Sequence, residues 1–464
     1  MPGLLTPPSW QTPAAMRRCH IIGFASLICY LATWLAGFDF SRSFEPLLML
    51  VYLIAISVRP LHGRGFIDPL WLLLLVWLLI QLVTLPPAMA LFPDYADEQI
   101  KDMRGLTKVF LILPIAWVLA GSTRLVLLAL STLIVGTMAG SLIHGESPTM
   151  LATLLAAGER PTLGFQNWQH AGVCAGVTLI ATACFAPRLI RDSAQRPTAQ
   201  RVALRVAFSL VAAWSLMAWT VSMTRSAWLG IAVVSLVAVI GAAIVWRRGY
   251  AFRTLRVRHV LLALAATLSV ALLMGITYGD PIIDRITAEQ GTVAAVLRGD
   301  LSAVPSTSIG FRIHAWHYAL QLLEQKPWFG WGPKSHIPLL LQSTNPVENT
   351  TLGAVVERSN LRHFHSSYVT LLVGNGVIGA LVYLATIATV AKAAWGSWRR
   401  GRMPTDVAIF LCLFFVFWAV VNAFESYIAY ATGIYFVGAV GAVAYTYRMR
   451  ERLDRQRVAR TESA

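Results

Sequence analysis

Apolar runs of bilayer length recur along nearly the whole chain, and this feature leaves few folds open. A segment with no water around it must satisfy its own backbone N–H and C=O groups, which a helix does and an open sheet does not. The runs cover residues 20–37, 44–58, 68–92, 106–121, 124–143, 168–187, 203–223, 226–246, 259–278, 366–391, 405–424 and 426–446. At the ~20 residues that a bilayer core requires, they make about twelve spans. Hydrophobic residues at 56% and charged residues at 13% agree with this. The expected fold class is all-α, a polytopic membrane protein of about twelve transmembrane helices with one large polar loop carrying amphipathic helices.

A net charge of +16 raises the question of a nucleic-acid partner, and the distribution of the charge answers it. Arg17 and Arg18, Arg59 and Arg64, Arg124, the arginines from Arg188 to Arg205 and from Arg247 to Arg258, Lys392 to Arg402, and Arg448 to Arg460 all fall in alternate connections. By the positive-inside rule that side is cytoplasmic, and it holds about 25 of the 38 basic residues. The opposite side holds Asp94, Asp97, Glu98 and Asp102. The basic excess therefore reports topology and not a polyanionic partner, so no nucleic acid is expected. An even number of spans puts both termini in the cytoplasm and the long loop outside. The basic, Pro-rich amino-terminal segment precedes a run without a small-residue cleavage site, and is expected to lead into a retained first helix.

Three parts are expected: spans one to nine over 1–278, a large outward loop over 279–364, and spans ten to twelve with a basic tail over 365–464. The loop opens at Tyr278-Gly279-Asp280, carries Gly310-Phe311-Arg312 and returns through His363-Phe364-His365. All five cysteines lie in or beside apolar runs, so the loop has neither a disulfide nor a thiolate metal site. Gly374-Asn375-Gly376-Val377-Ile378-Gly379 has the spacing of a dinucleotide fingerprint, but no strand precedes it and it lies inside a span. Close helix packing is the expectation there. No internal repeat marks an inverted-repeat transporter.

Three outward positions stand out. Arg225 sits between two spans with almost no loop, against the positive-inside pattern. Read alone, it is equally a residue snorkelling to headgroups or a guanidinium preorganised for phosphate. Arg312 opens a stretch in which Ile313, Trp316, Leu320 and Leu323 recur at helical spacing, while His314, His317, Gln321 and Glu324 are expected to face water. The spacing predicts an amphipathic helix lying on the membrane and ended by Lys326-Pro327, with Arg312 in its first turn, where read alone it is first an interfacial anchor. His365 stands at the mouth of the tenth span with His363 two residues before it; read alone it is first a hydrogen-bonded interfacial residue, while imidazole is also the side chain suited to moving protons near neutral pH. No HExxH or DxD pattern occurs in the outward loops, so no metal is expected.

Taken in order, these pieces resemble the O-antigen ligase and polymerase superfamily of bacterial membrane glycosyltransferases. The resemblance rests on the Thr224-Arg225-Ser226 turn, Gly310-Phe311-Arg312 with Trp316 and Pro327-Trp328-Phe329-Gly330-Trp331-Gly332, His365 followed by Gly376 and Gly379, and the single large loop. It covers roughly the carboxy-terminal half in motifs and the whole chain in architecture. It implies a GT-C type enzyme of the Gram-negative inner membrane, acting on the periplasmic face without a metal or other cofactor. The donor it implies is an undecaprenyl diphosphate-linked glycan and the acceptor lipid A-core, with membrane lipids around both. Arg225 and Arg312 match the family's functional arginines, and His365 its functional histidine. The family's histidine is often followed by Asn, where this chain has Ser366.

The chemistry so implied is an inverting displacement. Two guanidinium forks would neutralise the departing diphosphate, each contributing about 3 to 4 kcal/mol to the transition state, while His365 acts on the acceptor hydroxyl. Arg160 and His363 are further candidate substrate contacts, and Trp316, Trp328 and Trp331 are expected to cover the site. An O-antigen polymerase and a protein O-oligosaccharyltransferase share the resemblance. A lipid-linked glycan transporter is the non-enzymatic alternative, for which Gln81, Asn375 and Asn422 are the polar candidates inside the spans.

Overall fold

A computed structural model of the chain describes residues 14–35, 39–58, 68–247, 289–305, 307–345 and 363–462, together with residues 279, 283, 287, 350, 351 and 356. The protein is an all-α polytopic membrane protein. Its only described strands are two-residue pieces, Thr344–Asn345 and Thr350–Thr351, paired antiparallel. Among the described residues, seven helices are long and apolar enough to span: Pro69–Leu91, Thr123–His144, Trp168–Ala194, Thr198–Val221, Arg225–Ile244, Ser367–Arg399 and Thr405–Phe424. The run expected at 259–278 lies outside the described residues. The run expected at 106–121 is split, because Ala96–Thr107 passes through a 3-10 turn at Lys108–Leu111 into the short helix Ile112–Leu119.

Pro69–Leu91 shows how one sequence serves two surroundings. Leu70, Leu74, Trp77, Gln81, Thr84 and Ala88 recur at three- and four-residue spacing and are buried, while Leu72, Leu75, Leu79 and Leu82 present an exposed apolar face suited to lipid. Packing between spans depends on small residues. The Phe417 ring fits a notch between Gly176 and Gly230, where an added Cβ would come within 2.5 Å and 2.7 Å of it. This locks the helices Trp168–Ala194 and Arg225–Arg247 onto Thr405–Phe424.

The Gly374–Gly379 motif packs against a loop. Ser367–Arg399 breaks at Gly376, whose φ of 64° and ψ of −174° are non-helical. Backbone groups freed inside an apolar span need partners, and the Pro327–Gly332 segment supplies them. Trp331 and Gly332 donate their N–H groups to the Val373 and Gly374 carbonyls, both at 2.8 Å, and Val377 and Ile378 donate to the Pro327 and Trp328 carbonyls at 2.8 and 3.1 Å. A Cβ at Gly330 would collide with the backbone of Val373 and Gly376, so the glycines allow the two chains to meet.

Candidate active site

Arg225 is placed by one of the tightest connections in the molecule. Thr198–Val221 ends, Met223 takes a left-handed φ of 45°, and the next helix begins at Arg225. Thr224 donates to the Trp168 carbonyl at 3.1 Å, and a Cβ at Gly172 would strike Ser222 and Thr224. The turn thus holds the Arg225 backbone while its guanidinium stays partly exposed, 3.6 Å from the buried Glu289 carboxylate.

Arg312 lies in the helix Ser308–Gln325, whose N-cap Thr307 accepts from Gly310 N–H at 3.1 Å. Gly310 is required because a Cβ there would run into the Pro305 carbonyl. The expected helix is present, but it begins four residues before Arg312, and its buried face is rotated from the expected one. Phe311, His314, Ala315, Ala319 and Leu322 are buried and Leu320 is exposed. His314 does not face water, since its Nε2 is 2.9 Å from the Val304 carbonyl. A helix packed on protein buries the face that meets its neighbours, here the return segment and the broken span. The Arg312 guanidinium donates to the Ser308 carbonyl and hydroxyl at 2.7 and 2.8 Å, while its buried Nε has no partner. Burial pulls its pKa below the arginine range, with Glu425 opposing, Arg225 reinforcing, and Glu289 and Tyr427 opposing in turn. The two arginines are therefore electrostatic neighbours.

The return segment is pinned by Trp316, whose Nε1 donates to the Phe364 carbonyl at 2.7 Å. His365 adopts a left-handed φ of 49°, a conformation that costs a non-glycine residue about 1 kcal/mol or more and is kept where surrounding contacts enforce it. Ser366 then caps Ser367–Arg399, accepting from Val369 N–H at 3.4 Å. Asn and Ser are comparable N-caps, so Ser366 fills the structural part of the place that the family often gives to Asn. The ring of His365 packs edge-on to Phe311, and Trp331 fastens the far end of the helix through its bond to the Leu322 carbonyl at 2.9 Å. Trp328 is exposed.

Glu425 closes the site. It follows the helix Thr405–Phe424, and its carboxylate lies 3.1 Å from His363 Nδ1 and 3.2 Å from His365 Nδ1 while accepting Ser426 N–H at 2.8 Å. Ser367 anchors this end by donating to Asn422 Oδ1 at 2.5 Å and to the Glu425 carbonyl at 3.0 Å. Burial would raise the Glu425 pKa, but His363 and His365 and the Ser426 N–H outweigh it and hold the carboxyl at about 2. Burial also holds His363 neutral, down at about 3, against the pull of Glu425. His363 Nδ1 lies 3.2 Å from the backbone N of His365 as well, so it serves either the carboxylate as a donor or the backbone as an acceptor. His365 is oriented by Glu425 at Nδ1, and its Nε2 is buried without a partner. Such an imidazole has a lone pair poised to take a proton.

The structure brings Arg225, Arg312, His363 and His365 into one cluster around Glu289 and Glu425. Arg160 has its guanidinium carbon over the ring of Trp168, 4.0 Å from the centroid, and Trp168 lies in the first turn of the helix that carries His170. Sequence reading missed Glu289, Glu425 and His170, which is buried between Tyr427 and Tyr430 with ring centroids at 5.2 and 4.9 Å. Glu425 had the same signature as Arg225, a lone charge between two apolar runs with almost no loop.

His363, His365 and Glu425 each offer a ligand atom, all within 4.8 Å of one another, a set that could hold a cation. Against that, Glu425 already shares its charge with two imidazoles and Ser426 N–H, and the Arg312 cation acts on the same group.

Paired arginines, an oriented histidine and a buried carboxylate at one end of a helical bundle define a membrane protein with the equipment of a group-transfer enzyme. Residues 210–384 match the family model described as O-antigen ligase, which supports the O-antigen ligase superfamily, and this stretch holds Arg225, Glu289, Arg312, His363 and His365. Glu425 and Arg160 lie beyond it. No curated protein matches the chain.

Proposed function

We propose that the protein is an O-antigen ligase of the Gram-negative inner membrane. It would transfer glycan from undecaprenyl diphosphate to lipid A-core at the periplasmic face, with both termini in the cytoplasm. The observation that carries this reading is the His365–Glu425 pair, with Nε2 of His365 buried and unpartnered and Arg312 acting electrostatically on the same carboxylate. In the reaction, His365 Nε2 takes the proton from an acceptor hydroxyl as that oxygen attacks the anomeric carbon. The bond from that carbon to the diphosphate oxygen breaks, its electron pair leaves with the diphosphate, and the anomeric configuration inverts. Glu425 stabilises the imidazolium that forms, as a carboxylate behind a catalytic histidine does. Arg225 and Arg312 offer guanidinium donors where the leaving charge develops. His363 keeps Glu425 in place, and Arg160, held over the Trp168 ring, is a further contact for phosphate.

The transporter alternative draws no support from the polar residues of the spans. Gln81 Nε2 donates to Asn375 Oδ1 at 2.8 Å, and Asn422 bonds Ser367 and the Trp418 carbonyl, so these groups bond one another or the helix ends. The test is reconstitution of purified protein in detergent with a lipid-linked O-polysaccharide, a lipid A-core acceptor and excess chelator. Transfer to the core is expected and would also exclude a required metal. Lengthening of the lipid-linked glycan without core modification would make the protein a polymerase.

A further inference from the structure

Glu289 is buried, yet it carries a charge that the mechanism above does not use. A buried carboxylate is costly unless paired and hydrogen-bonded, and its partners here come from both arms of the site. Its Oε2 accepts from the Thr307 hydroxyl at 2.6 Å and from Thr292 at 3.4 Å, and the two threonine hydroxyls are 2.9 Å apart. Thr307 is the N-cap of the helix that carries Arg312. Oε1 faces the Arg225 guanidinium at 3.6 Å, and the same carboxylate opposes the shift of Arg312. One side chain thus reaches the turn of one arginine and the cap of the other.

We propose that Glu289 is a positioning residue that holds Arg225 and Arg312 in register for the two phosphates of the donor. The inference rests on the reading of the arginines as diphosphate ligands. Two guanidiniums brought together repel, and Arg225 acts on Arg312 in that sense. Arg225 is 45% exposed and carries the large rotamer freedom of a long side chain, which an ion pair restricts before the donor arrives. The carboxylate screens the repulsion, limits the movement of Arg225 and braces the cap of the Arg312 helix.

A competing role makes the opposite prediction. If Glu289 were only a counter-charge resting on Arg225, the donor would have to displace it, and removing its charge would tighten binding. The experiment measures binding of undecaprenyl diphosphate to the purified full chain in detergent for wild type, Glu289→Gln, Arg225→Ala and the double variant. Gln keeps an oxygen for Thr307 and loses the charge facing Arg225. Loss of one charge-assisted contact predicts binding weakened about tenfold in Glu289→Gln, with no further loss when the substitution is added to Arg225→Ala. Unchanged or tighter binding by Glu289→Gln overturns the proposal, and so does an equal loss in both backgrounds, which would mark a contribution to folding alone. Unchanged binding by Arg225→Ala would instead remove the diphosphate reading on which the inference rests. Glu289→Asp, which keeps the charge on a shorter arm, is expected to fall between wild type and Gln.

Discussion

The two ends of the helical bundle treat charge in opposite ways. At one end Arg188 places a two-pronged fork on Asp406 at 2.5 and 2.7 Å, and Arg400 does the same to Glu451 at 2.9 and 2.7 Å. At the other, some ~27 Å away along the helix from His170 to Arg188 at 1.5 Å per residue, Arg225 stands 3.6 Å from its carboxylate, Arg312 Nε has no partner and His365 Nε2 has none. Arginines whose forks are filled join helices, whereas arginines and a histidine left with spare donors and a spare lone pair are equipped to meet a ligand. The contrast lies in the geometry of bonding, since both ends are built from the same residue types.

The largest effects that would sharpen this contrast are on turnover. Arg312→Ala or Arg225→Ala is expected to lower the rate of transfer by about a hundred- to a thousandfold, the usual effect of removing a preorganised donor, as read in the detergent assay per mole of folded protein. Arg188→Ala, tested alongside, should leave the rate per folded molecule within a few-fold, and equal losses at both ends would break the comparison. Glu425→Gln should lower kcat by about a hundredfold or more through loss of the oriented imidazole, with little change in donor binding. Loss of binding with normal kcat would move Glu425 out of that role. Smaller again, Arg188→Ala should remove about 1 to 3 kcal/mol of stability by freeing a charge-assisted fork, seen as a lower unfolding midpoint in detergent. The gentlest test is pH. His363 is held neutral down to about 3 in the folded protein, while the unfolded chain takes its proton near 6.5. His363 should therefore contribute a fall in stability as pH drops below about 6.5, approaching 1.4 kcal/mol per unit until the folded site itself protonates. His363→Gln should make the pH dependence of stability less steep by that amount between pH 6.5 and 5, and an unchanged slope would contradict a neutral buried His363.

Much of this was legible in the sequence because bilayer-length runs and alternating basic loops are one-dimensional signals. Arg225 stood out by its position, since an arginine in a two-run junction has no loop to explain it, but position alone left snorkelling and phosphate binding equal. Glu425 carried the same signal and was overlooked because it follows the last motif and belongs to a helix end 60 positions from His365. Glu289 could not be read, because its meaning lies in Thr307 and Arg225, 18 and 64 positions away, and only the folded chain joins them. The face of the Arg312 helix was misassigned for a related reason. Apolar spacing gives the period of a helix, but whether it lies on lipid or on protein is decided by the segments that pack on it, and His314 is buried with its ring nitrogen against the Val304 carbonyl. The break at Gly376 is likewise a tertiary event, since the donors that stabilise it come from Pro327–Gly332.

The division of labour is tested most directly by measuring undecaprenyl diphosphate binding and glycan transfer side by side for His365→Ala and Arg312→Ala. The account predicts that His365→Ala binds the lipid diphosphate like the wild type and transfers no glycan, while Arg312→Ala loses both. Loss of binding in His365→Ala as deep as in Arg312→Ala would contradict it, and would make the histidine a ligand of the donor rather than the base for the acceptor.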